Sequence, residues 1–313
     1  MIAAALLFPR ISTIRDGVDA LVTLDITGSM NTRDYMLDGK PASRLDFAKK
    51  ALRGLVADLP CPSRIALAIF TEREPFLLFE PIDVCENFAA MDAAIAGLDW
   101  RMAWEGDSRV SAGFFRAIEM ARRLGADLVF VTDGQEAPPL PTYGAPVFDG
   151  ARGEVTGLLL GAGGYEPAPI PKFDERGREI GFYGAEEVPH ESRFGLPPPG
   201  AEQREGYNPR NAPFGGAMSI GSEHLSSVRE PYLRELAAAT GLTYAHLDKP
   251  EGLAGALRAV ARPRASLAPL DLRPAFAAAA LAGFVVLFLV IPLVERARRP
   301  RSSGLARLQR RAM

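Results

Sequence analysis

The chain has 313 residues, 48% of them hydrophobic and 24% charged, with a formal net charge of −2. That supplies apolar material for one large core or two small ones. From Glu295 onward seven arginines stand against one acid, a local +6 that leaves −8 for the rest, and an acidic body argues against nucleic acid as its partner.

Residues 1–17 open with Met1–Phe8, which is apolar, too short to span a bilayer and not preceded by the basic residues of a signal peptide. It is consistent with the remnant of a membrane helix. Val18–Leu24 is an apolar run that reads as a buried strand of a parallel sheet. After it, Asn31–Pro41 is polar, with Arg33, Asp34 and Asp38 forming a rim. Ser43–Leu59 is expected as an amphipathic helix, Arg64–Phe70 as a buried strand, and Phe76–Phe79 as an edge strand returning from a turn at Thr71–Glu74. Val84–Leu98 and Val110–Leu124 read as helices, and Ala126–Thr132 as an apolar strand running into Asp133-Gly134.

Val155–Gly161 is a further buried strand. Gly161–Gly164 is a turn, because neither a helix nor Lys-Ser/Thr follows as a phosphate loop requires. Ile170–Tyr183 reads as a hairpin about Arg176-Gly177, and residues 188–222 as a Pro/Gly-rich excursion. Tyr232–Thr240, Gly241–Leu247 and Pro250–Val260 complete the pattern as helix, strand and helix. Residues 18–261 are thus expected as one α/β domain, an open, mostly parallel sheet with helices on both faces.

Residues 262–274 read as a linker to a run of 20 residues, Ala275–Val294, without a charge. As a helix it would be ~30 Å long, the thickness of the hydrocarbon core, and it reads as a transmembrane helix. The arginines of the tail, 295–313, outnumber the four that precede the run (Arg258, Arg262, Arg264 and Arg273). That bias puts the tail in the cytoplasm and the domain outside it. The expected location is the inner (cytoplasmic) membrane, single- or double-pass, with the domain facing the periplasm.

The first strand leads into Asp25-Ile26-Thr27-Gly28-Ser29-Met30. In an extended segment alternate residues share a face, so the Asp25, Thr27 and Ser29 oxygens can converge on one hard divalent cation. The alternative is a polar turn whose Asp and Ser cap the next helix. Asp-x-Ser/Thr-x-Ser is the signature of a metal-ion-dependent adhesion site (MIDAS), and the chain resembles the von Willebrand factor A (vWA) family. Glu105–Phe114 looks like that family's second ligand loop, usually Gly-Thr-Asn-x-Gly-x-Ala-Leu, with Ser108 where the family has Thr. Asp133-Gly134 looks like the third loop, with Asp133 as the outer carboxylate. The resemblance covers roughly Asp19–Val260 and implies Mg²⁺, or Mn²⁺ or Ca²⁺, on Asp25, Thr27, Ser29, Ser108 and Asp133. It also implies a partner protein whose acidic residue fills the open position.

The two cysteines, Cys61 and Cys85, are each twelve residues from Arg73 at the middle of the hairpin turn. Symmetric pairing brings them ~4.5–5.5 Å apart at Cα, within disulfide reach, and an extracytoplasmic location permits the bond. The alternative is two buried thiols. Features expected of an enzyme are missing. His190, His224 and His246 lack metal-ligand spacing, Ser29 is not in a Gly-x-Ser-x-Gly elbow, and no base lies near either cysteine in sequence. A binding module is therefore expected, and a metal-dependent hydrolase is the competing class.

Asp25–Asn31 followed by Ser43-Arg-Leu-Asp-Phe-Ala-Lys49 is most similar to vWA proteins encoded beside MoxR-type ATPases, and among them to the accessory proteins of methanol-oxidation gene clusters. That resemblance implies a membrane-tethered factor for maturation of a periplasmic methanol dehydrogenase, including calcium insertion. A Bat-type aerotolerance protein and an adhesin-like receptor are the alternatives.

Overall fold

The computed structural model describes residues 10–103, 107–140, 146–174, 176–188, 203 and 222–298. In chain order the strands are β1 (Arg10–Gly17), β2 (Asp19–Asp25), β3 (Tyr35–Leu37), β4 (Lys40–Ala42), β5 (Arg64–Thr71), β6 (Glu74–Asp83) and β7 (Asp127–Thr132). They continue with β8 (Gly157–Gly161), β9 (Ala168–Pro169), β10 (Pro171–Phe173), β11 (Glu179–Phe182), β12 (Leu225–Ser226), β13 (Thr243–His246) and β14 (Arg264–Asp271). Between them lie α1 (Arg44–Asp58), α2 (Phe88–Ala96), α3 (Val110–Leu124), α4 (Glu230–Thr240) and α5 (Leu253–Val260).

The central sheet has six strands in the order β13-β8-β7-β2-β5-β6. All neighbours are parallel except β5 and β6, which form the one antiparallel pair. Because successive strand residues face opposite ways, each strand feeds two cores. Val22 and Leu24 of β2, Leu67 and Ile69 of β5 and Val129 and Val131 of β7 pack with α1, α2 and α5. Leu21, Ala68, Phe70, Leu128 and Phe130 turn to the other side and pack with α3 and α4. Near-continuous apolar strands follow from burial on both faces, and the expected α/β class is the one observed.

Local chemistry moved several boundaries. The helix expected from Val84 starts at Phe88, since the Asp83 carboxylate accepts from the amides of Cys85 and Glu86 and holds them in a turn. The edge strand β6 runs through Pro75 and Pro81, which an edge tolerates because the missing N–H faces outward. Pro231 in the first turn of α4 lets that helix begin at Glu230, before Tyr232.

The cysteines are bonded, with Cα atoms 5.9 Å apart. They lie in the turns flanking β5 and β6 rather than within the ladder, whose last pair is Arg64 with Asp83. Two register shifts between Ile65 and Ala68 displace the pairing from perfect symmetry about the hairpin turn.

The chain divides into two units, residues 15–266 and residues 1–14 with 267–313. Residues 10–17, expected as part of a membrane-helix remnant, are strand β1, in which Ile11, Thr13 and Ile14 supply β-branched side chains. The expected linker 262–274 is mostly strand too, since β14 pairs with β1 in a two-stranded sheet. The helix that follows, α6, begins at Arg273 and passes through a π-turn at Val286–Val290. Over Arg273–Ala297 it is long and apolar enough to cross a membrane, and its side chains are not buried within the protein. Residues 1–9, nearly all of the 188–222 excursion, His190 and the tail from residue 299 lie outside the described residues.

Candidate metal centre

The parallel strands β2, β5 and β7 end side by side, Asp25 level with Phe70, and Leu24 level with Val131 just ahead of Thr132. Segments leaving these ends are therefore presented on one rim of the sheet, where open α/β folds place their ligands.

Asp25 closes β2 and is fully buried. Its Oδ1 accepts from the Thr27 amide (2.9 Å) and the Thr27 hydroxyl (2.7 Å), and its Oδ2 from the Thr132 hydroxyl (2.6 Å). Burial, followed by the like charge of Asp133, pushes its pKa from 3.8 up to about 7, against the pull of the Thr132 and Thr27 hydrogen bonds. Thr27 is still extended, but the segment changes conformation straight after it. Gly28–Asn31 winds into a 3₁₀ turn, so period-2 alternation does not carry on to Ser29. Thr27 reaches Asp25 through a local side-chain turn, and Ser29 sits within the helical one.

Asp133, also fully buried, follows β7. Its Oδ1 accepts from the Gln135 amide (2.9 Å), and its Oδ2 from Arg44 Nη1 (2.7 Å) and the Ser226 hydroxyl (3.1 Å). A carboxylate offers about four lone-pair sites. Asp25 and Asp133 each spend three, leaving one on Asp25 Oδ2 and one on Asp133 Oδ1.

Ser108 is stitched to the third loop by reciprocal backbone bonds with Ala137 (2.8 and 2.7 Å) and bridges Glu72 after β5. Helix α3 then starts close against β5. A Cβ on Gly113 would lie 2.0 Å from the Phe70 ring, so only glycine allows this approach. Ser29 and Ser108 are 7% and 3% exposed, and neither hydroxyl oxygen has a hydrogen-bond partner. A buried hydroxyl left so costs about 1–3 kcal/mol. Two carboxylates with spare lone pairs and two orphaned hydroxyls form a donor set suited to a small, hard cation. Among the described residues no group of three or more His, Cys, Asp or Glu could hold a metal, so a cation here would have to draw on hydroxyls and water.

Arg44 is the main residue that the sequence reading missed. Fully buried at the first position of α1, it donates to Asp133, to Asp34 (Nη2–Oδ2 2.6 Å) and to Ser226 (Nη1–Oγ 2.6 Å). Burial opposes its charge, but Asp133 and Asp34 outweigh burial and raise its pKa. Asp34, expected on an open rim, is instead committed to this guanidinium and to the Gly164 amide (2.7 Å). Gly163, at φ +127°, leaves room for Arg44 Nε, which would lie 2.6 Å from a Cβ there. The Ser43-Arg-Leu-Asp stretch held the only sequence signal for this network.

Arg33 pairs with Glu179 of β11, and Asp38 with Lys50 (3.3 Å). Glu136 has a different task. Its carboxylate accepts from the Ser111 amide, the Ser111 hydroxyl and the Tyr232 hydroxyl on Oε1 and from the Val110 amide on Oε2, capping α3. His246 stacks on Tyr165, with ring centroids 5.0 Å apart, and His224 lies near the β9–β12 pair, so neither joins the site.

Residues 21–135 match the von Willebrand factor type A domain family. The matched segment contains Asp25, Arg44, Ser108 and Asp133. Among solved structures the fold is similar to an aerotolerance-related membrane protein from Bacteroides fragilis, at 17% identity and TM-score 0.48, covering 78% of this chain and 98% of that one. It is also similar to BatB from Bacteroides thetaiotaomicron (17%, TM-score 0.45, 74% and 91%). A third is VWA2, a paralog of ArnB, from Sulfolobus acidocaldarius (11%, TM-score 0.36, 80% and 46%). No curated protein matches the chain.

Proposed function

We propose that the chain is a membrane-anchored, non-catalytic binding protein that docks a partner through a divalent cation, Mg²⁺ with Mn²⁺ or Ca²⁺ as substitutes. The observation that carries this reading is the pairing of two buried carboxylates, each with one lone pair left, with the orphaned hydroxyls of Ser29 and Ser108. Asp25 and Asp133 would hold the charge, Ser29 and Ser108 would contribute neutral oxygens, and Thr27 would orient Asp25 while keeping a lone pair of its own. Once bound, the cation supplies an open position for a partner's carboxylate. Glu136 is engaged as the cap of α3, and His224 and His246 lie away from the site, which supports a non-catalytic reading.

Helix α6 supports membrane anchoring, and the Cys61–Cys85 bond supports an oxidising compartment, which agrees with a domain facing the periplasm. The finer reading, maturation and calcium loading of a methanol dehydrogenase together with a MoxR-type ATPase, rests on the resemblance of Asp25–Asn31 and Ser43–Lys49. A Bat-type role shares the same site.

The test is calorimetric titration of Mg²⁺, Mn²⁺ and Ca²⁺ into the detergent-solubilised full chain and its Asp25→Ala variant, with and without acetate as a surrogate carboxylate. Binding by the wild type that the variant loses supports the reading. No binding in either condition would overturn it.

A further inference from the structure

Among the described residues, nine buried side-chain polar atoms lack a partner, and one of them is the hydroxyl of Thr71. Thr71 is the last residue of β5 and is fully buried. Its neighbours on both sides touch the ligand segments. The carbonyl of Phe70 accepts from the Ile26 amide (3.1 Å), one residue beyond Asp25, and the carbonyl of Glu72 accepts from the Arg109 amide, one residue beyond Ser108. Glu72 itself has φ +60°, the left-handed region that non-glycine residues seldom adopt, and Ser108 forms a bridge to it. The strand end is therefore pinned between the first and second ligand loops, and the turn that does so is strained. Gly113 against the Phe70 ring fixes it from the α3 side.

We propose that Thr71 is a further member of the metal site, its hydroxyl holding a cation-bound water rather than the cation. This deepens the metal-docking reading and rests on it. Outer-sphere hydrogen bonds of this kind orient the ligands of a metal and raise its affinity. Without the cation, the Thr71 hydroxyl is a buried polar group with nothing to bond, a state that destabilises the fold. Thr23, two residues before Asp25 in β2, also carries a buried orphaned hydroxyl, but it lies inside the strand rather than at the end from which a ligand loop leaves. It is the natural control.

Thr71→Val and Thr23→Val both preserve shape and remove a hydroxyl. The full chain in detergent is titrated with Mg²⁺, with and without acetate, and melted in the presence of EDTA. Thr71→Val is expected to bind Mg²⁺ about tenfold more weakly while melting higher than the wild type in EDTA. Thr23→Val is expected to melt higher with unchanged Mg²⁺ affinity. Equal affinity in wild type and Thr71→Val overturns the assignment and leaves the metal reading standing. A lower melting temperature for Thr71→Val in EDTA also overturns it, since the hydroxyl would then be serving the apo fold. If the wild type binds Mg²⁺ in neither condition, the metal reading fails first.

Discussion

The guanidinium of Arg44 lies 2.7 Å from Asp133 Oδ2, and both side chains are wholly withdrawn from solvent. The same guanidinium holds Asp34 and Ser226, so one side chain joins the start of α1 to the β3 approach, the β7 exit and β12. Arg44→Met would leave Asp133 charged, buried and without its cation. Loss of one partner from such a pair typically costs about 3–5 kcal/mol, to be read from urea unfolding. Arg44→Lys should recover little of it, because an ammonium cannot serve three acceptors in the plane that the guanidinium spans.

The burial of Asp25 has a pH signature. Its pKa is raised from 3.8 to about 7, so between these values the native state holds a proton that the unfolded chain has released. Its contribution to stability is therefore full below about pH 4 and is lost as pH rises through 7. In EDTA the melting-temperature difference between Asp25→Asn and wild type should grow from pH 5 to pH 8 in favour of the variant. Added Mg²⁺ should stabilise the wild type more at pH 8 than at pH 5, since a proton and a cation compete for the same carboxylate. A flat difference across that range would contradict the desolvated state of Asp25.

Breaking the Cys61–Cys85 bond opens a loop whose ends are 24 residues apart. Loop-closure entropy for that length is about 3 kcal/mol. The double variant Cys61→Ala/Cys85→Ala should lose about that much in denaturant unfolding, and dithiothreitol should do the same to the wild type. The bond closes the end of the hairpin beyond the Arg64–Asp83 pair, opposite Thr71, so Mg²⁺ affinity of the folded protein should change little.

Helix α6 is the described element whose removal tests membrane attachment. The full chain should sediment with membranes and resist extraction by carbonate, whereas a chain ending at Asp271 should lose the attachment contributed by α6. Full retention of the shortened chain would place an anchor elsewhere.

The sheet was legible because burial on both faces writes apolar runs into β2, β5, β7 and β8, and a parallel sheet needs the helices that alternate with them. Asp25 and Asp133 were legible because each directly follows such a run. Arg44 was not, since an arginine at the start of an amphipathic helix usually faces water, and only the third dimension shows Asp34, Asp133 and Ser226 around it. Thr71 was hidden for the same reason, a hydroxyl at a strand end being ordinary until its missing partner is seen. The pairing of β1 with β14 joins residues more than 240 positions apart, beyond the reach of any local pattern.

The Cys61–Cys85 bond also has a mechanical consequence for a tethered protein. A membrane-held molecule gripped by a partner is pulled along its chain, and the force follows the shortest covalent route. With the bond intact, the route from a grip before Cys61 crosses directly from Cys61 to Cys85, and the 23 residues between them, which build β5 and β6, carry no tension through their backbone. Stretched to the limit, the oxidised chain is shorter than the reduced one by ~80 Å at ~3.4 Å per residue, a step that single-molecule pulling with and without reductant would read directly.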